Sequence, residues 1–100
     1  MDLTTKDIVL LHTALDGFIK VGNVELCKDK AQRMRNKQSA IRCKFKLENQ
    51  EQGFSRDECR VAHIALLLLF DEISSIPNSD PETPDVLKRL KILINALDPT

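Results

Sequence analysis

One hundred residues, with 15 basic and 15 acidic side chains, indicate a single domain, residues 1–100, that carries no net charge. The charge is unevenly placed, because residues 28–46 hold eight Lys or Arg and one Asp, whereas the rest holds seven bases and fourteen acids. The neutral total therefore excludes no class of partner. The longest apolar run, residues 61–70, is too short to span a membrane.

The cysteines and the amino terminus bear on location. The first residues, MDLTTKD, contain no basic segment followed by an apolar run, so no signal peptide is visible. Cys27, Cys43 and Cys59 are an odd number of cysteines without a C-x-x-C pair, which is typical of reduced thiols. We therefore predict a cytoplasmic protein with no membrane contact.

The first predicted helix begins after Thr4. This residue is a suitable N-cap, and Asp7 stands at the capping-box position three residues later. An apolar stripe then recurs at helical spacing: Ile8, Leu11, Leu15 and Phe18. The sequence VGN at residues 21–23 predicts the end of this helix, with Gly22 in the left-handed conformation and Asn23 as the cap of the next helix.

The second predicted helix, residues 24–51, carries most of the positive charge. Its a and d heptad positions form a narrow, mostly apolar seam that comprises Val24, Cys27, Ala31, Met34, Gln38, Ile41, Phe45 and Glu48. Its e and g positions form two basic rails, one of Lys28, Arg35 and Arg42 and the other of Lys30, Lys37 and Lys44. The rails, with Arg33 and Lys46, are the candidate residues for binding an anion or a protein partner. The polar segment at residues 35–39 is the place where this helix could break.

The basic rails allow two interpretations. Pairing of two copies of the seam would bring like charges together in either orientation. We therefore expect the seam and rails to contact acidic neighbours in the same chain, and the candidates are Asp7, Asp16, Asp71 and Glu72. The alternative is that the rails bind a nucleic acid or a nucleotide through phosphate contacts. Base stacking is poorly supported, because the chain has four Phe and no Trp or Tyr.

Two further helices complete the prediction. Ser55 and Glu58 form a capping box ahead of an apolar segment that stops before Pro77. A proline-rich loop at residues 77–84 leads to a last helix, with Thr83 as its cap and Pro84 at its first position. The last helix has an apolar stripe of Val86, Leu90, Leu93 and Leu97. Four helices with short connections predict an all-α fold, a small helical bundle.

Two features of this bundle favour self-association. A helix over residues 24–51 would overhang its shorter neighbours. The third helix is apolar on all sides between residues 64 and 70, and such a helix must be covered all round. We therefore predict a homo-oligomer whose second subunit completes the core. The candidate interface residues are Ile64, Leu67, Leu68 and Phe70.

No arrangement of residues predicts catalysis. Cys59 and His63 are one helical turn apart and His12 lies on another helix, but a structural zinc site needs four ligands. The simpler interpretation is that Cys59 packs at the start of its helix and that His63 is a partly buried histidine. Gly17, Gly22 and Gly53 are isolated, so no phosphate-binding loop is present. We predict no metal, no cofactor and no enzymatic activity.

The expected function is therefore binding. A small helical adaptor or inhibitor that contacts a protein partner is the leading interpretation. The alternative is a protein that binds an anionic ligand through the basic helix of residues 24–51.

Overall fold

The computed structural model describes residues 3–51, 53–75 and 83–98. Within these ranges the chain forms helices and no strand. The elements are α1 (Thr5–Gly17), a π-helical segment (Phe18–Gly22), α2 (Asn23–Leu26), α3 (Lys30–Glu48), α4 (Arg56–Ser74) and α5 (Thr83–Ala96). The backbone stays helical through both early junctions, so α1, the π-helical segment and α2 form one continuous rod. The predicted all-α bundle of four helices is confirmed.

The two predicted capping boxes are present. The Thr4 hydroxyl accepts from the backbone N–H of Asp7, whose carboxylate accepts from the backbone N–H of Thr4. Ser55 and Glu58 make the same reciprocal pair at the start of α4. The described part of α5 begins at Thr83, the residue predicted as its cap. Most of the predicted loop at residues 77–84 lies outside the described residues.

The predicted turn at residues 21–23 is wrong. Gly22 has right-handed helical angles, φ −59° and ψ −42°, and Asn23 lies inside the continuing helix. A Cβ atom on Gly22 would stand 2.6 Å from Cδ1 of Leu68, so the glycine permits close packing against α4. The chain leaves the helix at Cys27, which has extended angles, and Asp29 caps α3.

The predicted helix over residues 24–51 begins six residues later than expected. Helix α3 has 19 residues and a length of about 28 Å, and it runs without a break through residues 35–39. Helix α4 also has 19 residues, so the predicted overhang of the basic helix is wrong. That argument for a second subunit therefore falls.

Helix α4 occupies the centre of the bundle and contacts α1, α3 and α5. The α1–α2 rod, α3, α4 and α5 with the residue that follows it all contribute buried apolar side chains. These are Leu11, Ala14, Leu15, Phe18, Ala40, Cys43, Leu47, Val61, Ala62, Ala65, Leu66, Leu90, Leu93 and Leu97. The segment of α4 that the sequence shows as apolar all round is largely covered within one chain. Ile64, Leu68 and Phe70 pack partly buried against the core, whereas Leu67 is 44% exposed.

A buried ion pair ties α5 to the start of α1. Asp7 is fully buried, and both of its carboxylate oxygens accept hydrogen bonds from the guanidinium of Arg89. The hydrogen bond from Arg89 lowers the pKa of Asp7 against the opposing effect of burial. Asp7 is therefore held as a carboxylate inside the bundle.

None of the helices in the described ranges is long and apolar enough to cross a membrane.

Candidate binding surface on helix α3

The apolar seam of α3 faces solvent. Met34 is 58% exposed, Ile41 49% and Phe45 60%, although all three are large apolar side chains. Ala31, which precedes Met34, and Gln38, which lies between Met34 and Ile41, share this face and are exposed as well. The expectation that the seam packs against other helices of the chain is wrong.

A second stripe on α3 packs into the bundle instead. It consists of Asn36, Ala40, Cys43 and Leu47, at spacings of four, three and four residues, with Ser39 beside it. This stripe lies on the side of the helix opposite the seam, as the 3.6-residue period requires. The same spacing in the sequence could have revealed it, but its polar members hid the signal.

Polar members of the buried stripe are held by a hydrogen-bond network that the sequence did not reveal. Asn36 Oδ1 accepts from Gln32 Nε2 at 2.8 Å and from Arg60 Nη2 at 2.9 Å. Asn36 Nδ2 donates to Asn23 Oδ1 at 3.3 Å, and Asn23 Nδ2 donates to the Arg33 carbonyl at 2.8 Å. Because these groups are satisfied, burying two asparagines is tolerable. The network fixes which side of α3 turns inward.

Buried Glu58 holds the other end of α3. Lys46 Nζ donates to Glu58 Oε1 at 2.5 Å and to the Gly53 carbonyl at 2.7 Å. Burial alone would raise the pKa of Glu58, but the hydrogen bonds from Lys46 and Ser55 outweigh it and lower this pKa. The candidate binding residue Lys46 therefore has a structural role.

Of the two rails, only the one that contains Lys44 is neutralised, and only at its carboxyl-terminal end. Lys44 pairs with Asp16 of α1, as predicted, and its hydrogen bond lowers the pKa of Asp16. Nearby, His12 Nε2 lies 2.9 Å from Glu48 Oε1, and its Nδ1 lies 3.5 Å from Asp16 Oδ2. The flank of α3 that holds Lys44 and Glu48 is therefore neutralised by contacts with α1.

The amino-terminal half of the rails is exposed and positive. Lys28, Lys30 and Lys37 are exposed and form no ion pair within the described residues. The predicted partners Asp71 and Glu72 are exposed and form no ion pair with the rails. Asp7 pairs with Arg89 instead.

The remaining basic candidates make local contacts. Arg35 donates to Gln32 Oε1 at 2.8 Å, and Arg42 donates to Ser39 Oγ at 3.3 Å. Arg33 is half-buried. None of these three has an acidic partner among the described residues, so their charges add to the positive surface of α3.

The cysteines and histidines are engaged in packing and in hydrogen bonds. His63 Nδ1 donates to the Ile94 carbonyl at 2.9 Å. Burial raises the pKa of Cys43 to about 12 and also raises that of Cys59, so both thiols are poor nucleophiles. Across residues 3–51, 53–75 and 83–98 there is no group of three or more His, Cys, Asp or Glu side chains that could hold a metal ion.

Comparisons of the chain with known protein families, with curated proteins and with solved structures found no match. The exposed face of α3 is therefore the basis for a functional proposal.

Proposed function

We propose that the chain is a non-enzymatic binding protein, an adaptor or an inhibitor, that recognises a protein partner through the outward face of α3. The observation that supports the proposal is the exposure of Met34, Ile41 and Phe45 in one line between two basic rails. Exposed apolar side chains aligned on one face and flanked by polar residues are typical of interaction sites. A helix that presents such a line matches a common mode of helix recognition.

The energetics require the partner to contact more than the seam. Full burial of a large apolar side chain contributes about 1.5–3 kcal/mol. Because Met34, Ile41 and Phe45 each expose only about half of their surface, covering all three would contribute roughly 3–5 kcal/mol. Association costs about 4–15 kcal/mol in lost freedom of motion. The seam alone would therefore bind weakly, and the basic rails must supply further contacts.

An anionic ligand is the second candidate function, because Lys28, Lys30 and Lys37 are exposed without an acidic partner in the described part of the chain. A phosphate backbone lying along the rails would leave the apolar side chains of the seam without partners. Phe45 is the one aromatic residue of α3, which is too few for a stacking platform. The seam therefore favours a protein partner over a polyanion.

Homo-oligomerisation through α4 and a cytoplasmic location stay predictions. Leu67 is the most exposed of the four candidate interface residues, and it offers a small apolar contact at the surface of α4. The three cysteines are free, which is consistent with a reducing compartment.

Site-specific photo-crosslinking in the source cells tests the proposal. A photoreactive residue is placed at Ile41 and, as a control, at Ile92, an exposed apolar residue of α5. We expect a discrete protein adduct from position 41 that is suppressed by excess unlabelled parent protein but not by excess Phe45→Ser. Identical adducts from both positions, or adducts from position 41 that nuclease removes, would contradict the proposal.

A further inference from the structure

The charge distribution on α3 allows the partner to be described more closely, on the basis of the function proposed above. We infer that the partner presents an amphipathic helix of three to four turns. Its residues are acidic on both flanks at the end that lies over residues 30–37, and acidic only on the flank that faces Arg42 at the end that lies over residues 41–48. Three sets of observations carry this inference: the geometry of the seam, the gradient of charge and the unsuitability of a second copy.

The geometry of the seam fits one helix. Met34, Ile41 and Phe45 are separated by seven and four residues, the spacing with which a helix contacts a parallel or antiparallel neighbour. They span about 16 Å of α3 at 1.5 Å per residue. The exposed strip is one side chain wide, because basic residues border it on each side. A partner helix of about 12–16 residues would cover the strip and the free rails at 1.5 Å per residue.

The gradient of charge sets the polarity of the partner. Over residues 30–37 the exposed face carries Lys30 and Lys37, which have no ion pair among the described residues, and Arg35 on the opposite flank. Over residues 41–48, Lys44 is paired with Asp16 and Glu48 contacts His12, whereas Arg42 on the other flank is exposed and has no acidic partner among the described residues. Acidic side chains on the partner would gain ion pairs on both flanks over the first region. Over the second region they would gain one only with Arg42, and on the other flank they would meet carboxylates that are already present.

A second copy of this chain does not meet these requirements. If two α3 helices were antiparallel with Met34 opposite Phe45, each rail would face the same rail of the other copy, which places Arg35 near Arg42 and Lys37 near Lys44. A parallel arrangement would instead bring the two kinds of rail together. Like charges at these positions disfavour pairing, so an acidic helix of another protein is the better occupant.

Designed peptides provide the probe for this inference. Three 16-residue helical peptides share one leucine stripe and carry Glu, Gln or Lys on its flanks, and their binding to the full chain is measured by fluorescence anisotropy in about 0.1 M salt. We expect the Glu peptide to bind at least tenfold more tightly than the Gln peptide, with an advantage that shrinks at 1 M salt. We expect no binding of the Lys peptide.

Paired variants of the protein locate the charge preference. Each exposed ion pair changes the affinity about twofold to fivefold. Lys30→Gln/Lys37→Gln should therefore lower the affinity for the Glu peptide about tenfold and leave the affinity for the Gln peptide unchanged. Lys88→Gln, an exposed lysine of α5, is the matched control and should have no effect. A fourth peptide with Glu at one end only, and a nitroxide at that end, should broaden amide resonances of residues 30–37 rather than 44–48. Broadening at residues 44–48 would overturn the polarity.

The outcomes separate this inference from the proposed function. If the Glu and Gln peptides bind equally and Ile41→Ser abolishes both, the seam binds helices but the acidic partner is wrong. If no peptide binds, or if Ile41→Ser has no effect, the proposed function fails as well. If a Glu-rich peptide without the leucine stripe binds as tightly as the Glu peptide, the surface is a general anion site and the inference is overturned.

Discussion

Replacing Lys46 with Met should destabilise the protein in a pH-dependent way. Glu58 is 2% exposed, and its Oε1 accepts from Lys46 Nζ at 2.5 Å and from the Ser55 backbone N–H at 3.3 Å. Its Oε2 accepts no hydrogen bond within the described residues. Lys46→Met therefore leaves a buried carboxylate with a single backbone donor.

The size of the effect has an upper limit set by protonation. Removal of one partner of a buried pair costs about 3–5 kcal/mol, and the lower end applies because Lys46 is itself 26% exposed. Glu58 can instead take up a proton. From the ordinary pKa of 4.5, protonation costs about 3.4 kcal/mol at pH 7, because each pH unit is about 1.36 kcal/mol. We expect a loss of about 3 kcal/mol at pH 7 and of about 1 kcal/mol at pH 5.

The sign of this pH dependence follows from the two pKa shifts. In the parent the pKa of Glu58 is lowered, so its contribution to stability is present above the ordinary pKa of 4.5 and is lost as the pH falls through the lowered pKa. In Lys46→Met the pKa of Glu58 is raised above the ordinary value. The free energy of unfolding of the variant then falls further below that of the parent as the pH rises above 4.5, until Glu58 ionises in the folded state.

Urea denaturation at pH 7 and pH 5 measures these free energies of unfolding. Lys46→Met/Glu58→Gln should recover most of the loss at pH 7, because the buried side chain is then neutral. Lys37→Met, an exposed lysine of the same helix with no ion pair in the described region, should change stability by less than about 0.5 kcal/mol. Two outcomes would contradict this explanation. One is an equal loss of unfolding free energy at the two pH values, and the other is a double variant whose loss equals the sum of the losses of its two single variants.

Three other predictions concern the bundle. Because Arg89 lowers the pKa of Asp7, the pair should stabilise the fold above pH 4 and lose its effect at lower pH, so Arg89→Met should lower the melting temperature less at pH 3 than at pH 7. In denaturant titrations, Leu66→Ala should lower the free energy of unfolding by about 2–5 kcal/mol, because Leu66 is fully buried. Leu67→Ala should lower it by less than about 1 kcal/mol if the protein is a monomer. A large loss of stability for Leu67→Ala that depends on protein concentration would instead indicate an oligomer interface. Treatment with a metal chelator should leave the melting temperature unchanged, and helicity lost on chelation and restored by zinc would contradict this expectation.

Local signals in the sequence were sufficient for parts of the fold. The capping boxes at Thr4 and Ser55 lie within four residues of chain, so their hydrogen bonds can be inferred without knowing the rest of the bundle. The VGN sequence carried a turn signal that tertiary packing overrode. Gly22 lies against Leu68 of α4, 46 residues away, and nothing local to the turn reports that contact.

Part of the candidate surface on α3 could be predicted from the sequence. The seam and rails could be read from the heptad pattern, but α3 has two stripes at helical spacing, and the pattern alone favoured the more apolar one. Burial of the other stripe depends on Asn23 of α2 and on Glu58 and Arg60 of α4, which contact Asn36 and Lys46. Such long-range polar contacts leave no periodic signal in the sequence.

The central claim is that the apolar seam of α3 is open to solvent in the free protein. It is tested most directly by NMR, from the effect of a soluble paramagnetic agent on the methyl relaxation rates of Met34 and Ile41 over a range of protein concentrations. We expect strong enhancement at every concentration, whereas the methyl groups of buried Leu66 should show little. Protection of Met34 and Ile41 equal to that of Leu66 at the lowest concentration would place the seam in the core. Protection that grows with concentration would show that a second copy covers it, and either result would contradict the account.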